Sequence, residues 1–283
     1  MFGTNSYNKR SSKKYGWRPD WFGGQYRDFN SDLAAAIKTF QKRHDLGADG
    51  KVGPITFKRL LLARDEDEVV NYILIKDMAY GIDCDVKINL IKPAAYRTVS
   101  GIRQPNMIVT HWDVTTSADK CKRVLETRGI STHFCIDNDG TIHQYVDPNN
   151  IAWHAGKVNR CSIGIDFSNA YYEKYNKTYV KMGFEGRPVL ANSRVHGIKL
   201  KPHLGYYPVQ IEAYKKLIKV LCNRYKIPYE VPLDNDGKLL TAVDKDAARG
   251  RFKGVVCHYH LTRNKIDCAG LELDKIVKEL FIM

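Results

Sequence analysis

Long apolar runs are missing from this sequence: stretches such as Ile73–Ile75 and Met107–Val109 fall far short of the roughly 20 residues that a membrane-spanning helix needs. The opening residues, Met1 to Arg10, are polar and basic and run into no apolar core or small-residue cleavage site, so no signal peptide is expected. Close cysteine pairs are also missing. The seven cysteines, at positions 84, 121, 135, 161, 222, 257 and 268, form no CxxC motif and no dense framework, which points to reduced thiols in a chain made in a cytoplasm. The formal charge of +14 calls for an anionic partner. Yet Lys and Arg are spread along the whole chain, with no zinc-finger spacing, RNP-type aromatic motif or basic heptad region. A nucleic-acid partner is therefore not expected, while anionic wall polymers and lipid head groups stay open.

With 283 residues and 43% hydrophobic content, the chain can bury a full core, and its length suggests one main domain plus a smaller appendage. Residues 1–27 mix basic, aromatic and Gly-rich character without a helical or strand period and read as a lead-in. A helix is expected from about 32 to 44, capped by Ser31 or Asp32, with Leu33, Ala36, Ile37 and Phe40 on one face. A turn-rich stretch, Leu46 to Gly53, leads to Pro54 at the first position of a second helix bearing Phe57, Leu60 and Leu61. These helices place a small all-α domain over 28–64. The acidic run Asp65 to Glu68 marks a surface break, and 65–99 is expected as a connecting segment.

From about residue 100 short apolar strands alternate with helices. Strands are expected at Met107–Thr110, Thr132–Ile136, Thr141–Val146, Ser162–Phe167 and Val255–Tyr259, with Asp137 to Gly140 closing a hairpin. Helices are expected over 207–225 and 273–280, and Tyr171 to Leu204 reads as a surface insertion. This order implies an α/β domain over 100–283, a mixed central sheet flanked by helices.

Four ionisable positions sit inside or just after apolar strands: His111, Asp166, His258 and the group Lys265-Ile266-Asp267-Cys268. Burying such groups is costly unless they are paired or bound to metal. A lone strand-end histidine is more often a satisfied residue than a ligand; the combination carries the inference. A catalytic zinc takes three protein ligands and keeps one position open, and here the order is His, His, then Asp or Cys. Asp166 suits a general base and Lys265 an oxyanion stabiliser.

Five ordered fragments carry a resemblance: Val109-Thr110-His111-Trp112; Ser131-Thr132-His133-Phe134 with Asp139-Gly140-Thr141-Ile142; Ala152-Trp153-His154-Ala155-Gly156; Ser162-Ile163-Gly164-Ile165-Asp166; and Val256-Cys257-His258 followed by Lys265-Ile266-Asp267. Together they resemble the type 2 N-acetylmuramoyl-L-alanine amidases, the family related to peptidoglycan recognition proteins. The resemblance implies zinc held by His111, His258 and Asp267, with Asp166 where catalytic members carry Glu and Lys265 at the family's transition-state Lys. It places His154, with Trp112, at the substrate groove, and gives His133 no metal role. Thr132 stands where some relatives carry Tyr, so base function falls on Asp166, whose reach is one methylene shorter than that of Glu. Cys268, beside Asp267, is the alternative third ligand, because some relatives use Cys. Residues 28–64, through Phe40-Gln41, Asp49-Gly50, Val52-Gly53-Pro54 and Thr56-Phe57, are similar to a peptidoglycan-binding domain.

The resemblance implies an enzyme that cuts the amide between N-acetylmuramic acid and the L-Ala of the stem peptide. Bacterial peptidoglycan would be its partner. The non-catalytic receptors of the family are the alternative, against which both histidines and the Lys-x-Asp argue. Without an export signal such an enzyme is expected to be made in the host cytoplasm and to reach the wall after release, as a phage endolysin does.

Overall fold

The computed structural model describes residues 3–44, 46–64, 69–76 and 78–282, and the chain divides into two units, 1–69 and 70–283. The first is helical: α1 (Thr4–Tyr15), α2 (Ser31–Arg43) and α3 (Pro54–Arg64). Asn30, rather than Ser31 or Asp32, caps α2 by accepting from the Leu33 amide at 3.0 Å. Leu33, Ile37, Val52, Phe57 and Leu60 close a core around the buried Trp17. Between α2 and α3 the buried Gln41 amide donates to Asp49 Oδ1, the Lys51 carbonyl and Thr56 Oγ1. Its oxygen accepts from the Gly50 amide at 2.9 Å. Gly50 stands at φ +75°, which a glycine adopts without strain. The acidic run 65–68 and the side chain of Leu61 lie outside the described residues.

Residues 1–27 are not an aperiodic lead-in: they contain α1 and the buried Trp17. The buried face of α1 is polar, so no apolar period marks it. Asn8 donates to the Gly50 carbonyl and accepts from the Val52 amide, both at 2.9 Å, while Ser11 donates to the Val52 carbonyl.

The second unit carries β1 (Val70–Ile75), β2 (Met78–Ile88), β3 (Tyr96–Arg97), β4 (Met107–Trp112), β5 (Phe134–Ile136), β6 (Ile142–Gln144), β7 (Ile151–Ala152), β8 (Ser162–Phe167), β9 (Val189–Leu190), β10 (Arg194–Val195), β11 (Ile198–Lys199), β12 (His203–Leu204) and β13 (Gly254–Cys257). Its helices are α4 (Ala118–Arg128), α5 (Asn176–Lys181), α6 (Pro208–Tyr225), α7 (Lys245–Ala248) and α8 (Leu273–Ile282). Seven strands form a mixed sheet in the order β1-β2-β6-β5-β8-β4-β13, in which β5, β8, β4 and β13 run parallel. The α/β class is as the sequence implies. The segment 65–99 is more than a connection, because β1 and β2 form an antiparallel hairpin that adds to the sheet through β6. Their buried residues, Ile73–Ile75 on β1 and Ile82, Val86 and Ile88 on β2, are too few for their period to stand out.

Helices cover both faces. α6 packs where Thr110 meets the Tyr214 hydroxyl at 2.5 Å and Phe167 meets the Tyr214 ring. On the other face, α4 sets Ala118, Cys121 and Leu125 against Cys135 and Tyr145. The stretch 171–204 also departs from a surface insertion. It buries Tyr179, Leu204 and Arg187, the last lying between the rings of Tyr179 and Tyr207 at 4.6 and 4.3 Å. Its core is aromatic and polar, which hydrophobic periodicity does not reveal.

Candidate metal centre

In a parallel pair, residues in register share a face. His111 on β4 is in register with Asp166 on β8, and Asp166 with Cys135 on β5. On the other side Thr110 pairs with Cys257, the last residue of β13, so His258 begins the next step of the same row. The row thus lies at the carboxyl ends of adjacent parallel strands, where open α/β sheets place ligands. His258 does not continue the strand: it opens a one-turn helix that ends at His260. The loop after it returns Asp267 to the row.

Three donor atoms converge there. His111 Nδ1 lies 2.9 Å from His258 Nδ1 and 3.2 Å from Asp267 Oδ2, and His258 Nδ1 lies 3.0 Å from Asp267 Oδ2. All three residues are buried. Tetrahedral bonds of about 2.0–2.1 Å would set such atoms about 3.3 Å apart, so the cluster matches a three-ligand site to within a few tenths of an ångström. Its electrostatics match too. Burial, then the neighbouring His258, pushes the His111 imidazole down to about 4 and keeps it neutral. Burial alone would raise the Asp267 carboxyl, but the hydrogen bonds from His111 and His258 outweigh it and hold the group well below the usual carboxylate range. Neutral imidazole and ionised carboxylate are the states that bind a metal.

Behind the cluster, His111 Nε2 meets His154 Nδ1 at 3.0 Å, and His154 Nε2 meets Ser162 Oγ at 3.2 Å. With a metal on Nδ1, the His111 proton would sit on Nε2 and be donated to His154, whose own Nε2–H would then point to Ser162. Ser162 in turn donates to the Val158 carbonyl at 2.8 Å. Gly164 makes room for this chain, since a Cβ there would lie 2.7 Å from the His154 ring and 2.8 Å from Thr132 Oγ1. Thr132 is buried, and its hydroxyl has no hydrogen-bond partner.

His133 is satisfied elsewhere. Its Nδ1 accepts from the Gly164 amide at 2.9 Å and its Nε2–H donates to the Asn150 carbonyl at 3.1 Å. Burial, followed by the charge of Arg103, keeps this ring neutral. Asp166 is buried beside His111, and burial together with Asp113 and Asp267 raises its carboxyl well above the usual range. Lys265 is exposed two residues ahead of Asp267. Trp112 is not brought to the cluster: strand alternation turns it to the opposite face, where it is buried against Tyr171 and His203. Cys268 is buried next to Cys257 and Tyr206 and stands outside the donor set.

The N-acetylmuramoyl-L-alanine amidase family matches residues 101–267. The chain belongs to this family. It is accordingly a peptidoglycan amidase, and a peptidoglycan binding domain matches residues 13–60, beginning inside α1. Among solved structures it is similar to the N-acetylmuramoyl-L-alanine amidase LysC from Clostridium intestinale, with 19% identity over 68% of this chain and 96% of that one and a TM-score of 0.40. A mutant endolysin from Bacillus subtilis shows 19% identity over 69% and 97%, with a TM-score of 0.39. A Pseudomonas aeruginosa structure in complex with anhydromuramic pentapeptide shows 20% over 68% and 66%, with a TM-score of 0.41. No curated protein matches the chain. Among the described residues, no helix is long and apolar enough to cross a membrane.

Sequence reasoning missed the link from His154 to His111 and Ser162. The only local signal was a glycine, Gly164, two residues before Asp166 in a strand that otherwise favours large apolar residues.

Proposed function

We propose that this amidase is zinc-dependent, that His111, His258 and Asp267 hold the ion, and that the chain acts as a phage endolysin on the bacterial wall. The observation that carries the zinc reading is the convergence of two imidazole nitrogens and a carboxylate oxygen within 3.2 Å of one another. Zinc bound there would supply a Lewis acid for the lactyl carbonyl and a water of lowered pKa. Asp166, whose carboxyl is raised well above the usual range by its burial, takes up a proton from the attacking water and returns it to the departing L-Ala nitrogen. The exposed Lys265 ammonium stabilises the oxyanion. His154 orients His111 and faces the sugar–peptide groove beside the exposed Trp153.

The N-terminal unit raises local concentration on polymeric wall by tethering. The charge of +14 favours contact with the anionic envelope. Such contact weakens with salt, as screened surface charge does, while cleavage of soluble muropeptides stays intact. Synthesis in the host cytoplasm and release to the wall at the end of infection complete the reading.

The test is digestion of purified peptidoglycan by wild type and His258→Ala, with mass spectrometry of the fragments and zinc content of both proteins. Stem peptides with an exposed L-Ala amine, lost together with zinc in the variant, are expected. Full cleavage by a zinc-free variant would overturn the metal assignment, and wall binding without cleavage by wild type would mark a receptor.

A further inference from the structure

The row that carries the metal centre does not end at Asp166. It continues to Cys135 on β5, and α4 lays Cys121 over the same corner. Asp113, two residues beyond His111 and on the same face, comes in from the end of β4. Side-chain donors of Asp113, Cys121 and Cys135 all lie within 4.8 Å of one another. Cys135 Sγ is 3.9 Å from Asp113 Oδ2, and Cys121 Sγ is 3.8 Å from Asp166 Oδ2. Zinc–sulfur bonds of about 2.3 Å and zinc–oxygen bonds of about 2.0 Å set sulfur and oxygen about 3.5 Å apart around a tetrahedral ion. The observed separations exceed that by a few tenths of an ångström.

The three groups come from three different segments of the chain, and Asp113 is held from behind. Asp113 Oδ1 accepts from the Thr115 and Asn169 amides, at 2.8 and 2.9 Å, and Oδ2 accepts from the Thr115 hydroxyl at 2.6 Å. Such outer hydrogen bonds orient a carboxylate ligand.

We infer that Asp113, Cys121 and Cys135 form a second, three-ligand metal site for a thiophilic divalent ion of the zinc class. Thiolates select such ions over magnesium or calcium, and coordination removes the thiol protons. The inference does not depend on zinc at the first centre, because it uses none of that centre's ligands.

The test separates the sites by their sulfur. Metal-free full-length protein, kept reduced, is titrated with cobalt(II) and with zinc, and bound metal is counted by native mass spectrometry. Wild type is expected to take two equivalents and to show a thiolate-to-cobalt charge-transfer band in the near ultraviolet. His258→Ala should take one and keep the band. Cys121→Ser/Cys135→Ser should take one and lose it. If the cysteine variant does not fold, the band and single equivalent of His258→Ala still decide the matter. Wild type without the band overturns the site, whatever its stoichiometry, and so does a band that survives loss of both cysteines. In those cases the three groups are core packing only.

Discussion

His154→Phe isolates what the second imidazole contributes to the first. The substitution keeps a flat ring over Gly164, where there is no Cβ to meet it, but deletes the acceptor 3.0 Å from His111 Nε2 and the contact to Ser162. His111 is then left either with a buried N–H lacking a partner, at a cost of about 1–3 kcal/mol, or with its proton moved to Nδ1, the atom that must bind the metal. Outer partners of metal-binding histidines are worth roughly 10- to 100-fold in affinity, about 1.4–2.7 kcal/mol. Zinc affinity, measured by competition with a chromophoric chelator, should fall by that factor, and His154→Gln, which retains an acceptor, should recover part of it. Thermal unfolding of the metal-free proteins separates this effect from simple loss of packing. Unchanged zinc affinity with a raised KM would refute the positioning argument and leave His154 as a substrate contact alone.

Gln41→Leu removes four hydrogen bonds at once from the loop between α2 and α3. With buried groups stranded at about 1–3 kcal/mol each, the N-terminal unit should lose several kcal/mol. Sedimentation with wall should then weaken while cleavage of soluble muropeptides persists. His143 is buried near Asp119 and Asp137, and burial, helped by Lys87 and Lys122, pushes it down to about 4. Its stabilising contribution is present above the unfolded pKa of about 6.5 and is lost as pH falls toward 4, since the unfolded chain binds the proton first. Between pH 7.5 and 5 this amounts to about 2 kcal/mol, and urea midpoints of His143→Gln should shift less over that range than those of wild type. Asp166→Asn should lower kcat by about 10²- to 10⁴-fold, the usual contribution of a general base, with zinc retained at the first centre. An unchanged kcat would remove Asp166 from the chemistry.

The parallel strands of the sheet were legible because β4, β8 and β13 are short segments rich in Ile, Val and Phe and buried without a break on both faces. That same continuity made His111, Asp166 and His258 conspicuous. Elements buried through polar contacts stayed hidden. Helix α1 docks by Asn8 and Ser11, and the stretch 171–204 closes around Arg187 and tyrosines. Neither produces a hydrophobic period. Trp112, which the resemblance put at the groove beside His154, lies one strand step from His111 and therefore on the opposite face, against Tyr171 and His203.

The row also explains why Asp267, and not its neighbour, joins the histidines. Two of the three donor residues come from strand ends whose register is fixed by backbone ladders, so their separation has little freedom. The third must come from a loop that closes on them, and the Tyr259 amide bonded to the Asp267 carbonyl at 3.0 Å ties that loop to the turn carrying His258. With the backbone pinned at Asp267, its carboxylate turns toward the two imidazoles while Cys268 is buried against Cys257 and Tyr206. The family resemblance, which puts the third ligand two residues after Lys265, implies the same residue. The backbone tie supplies the physical reason, since one chain step past that carbonyl carries the thiol away from the two imidazoles.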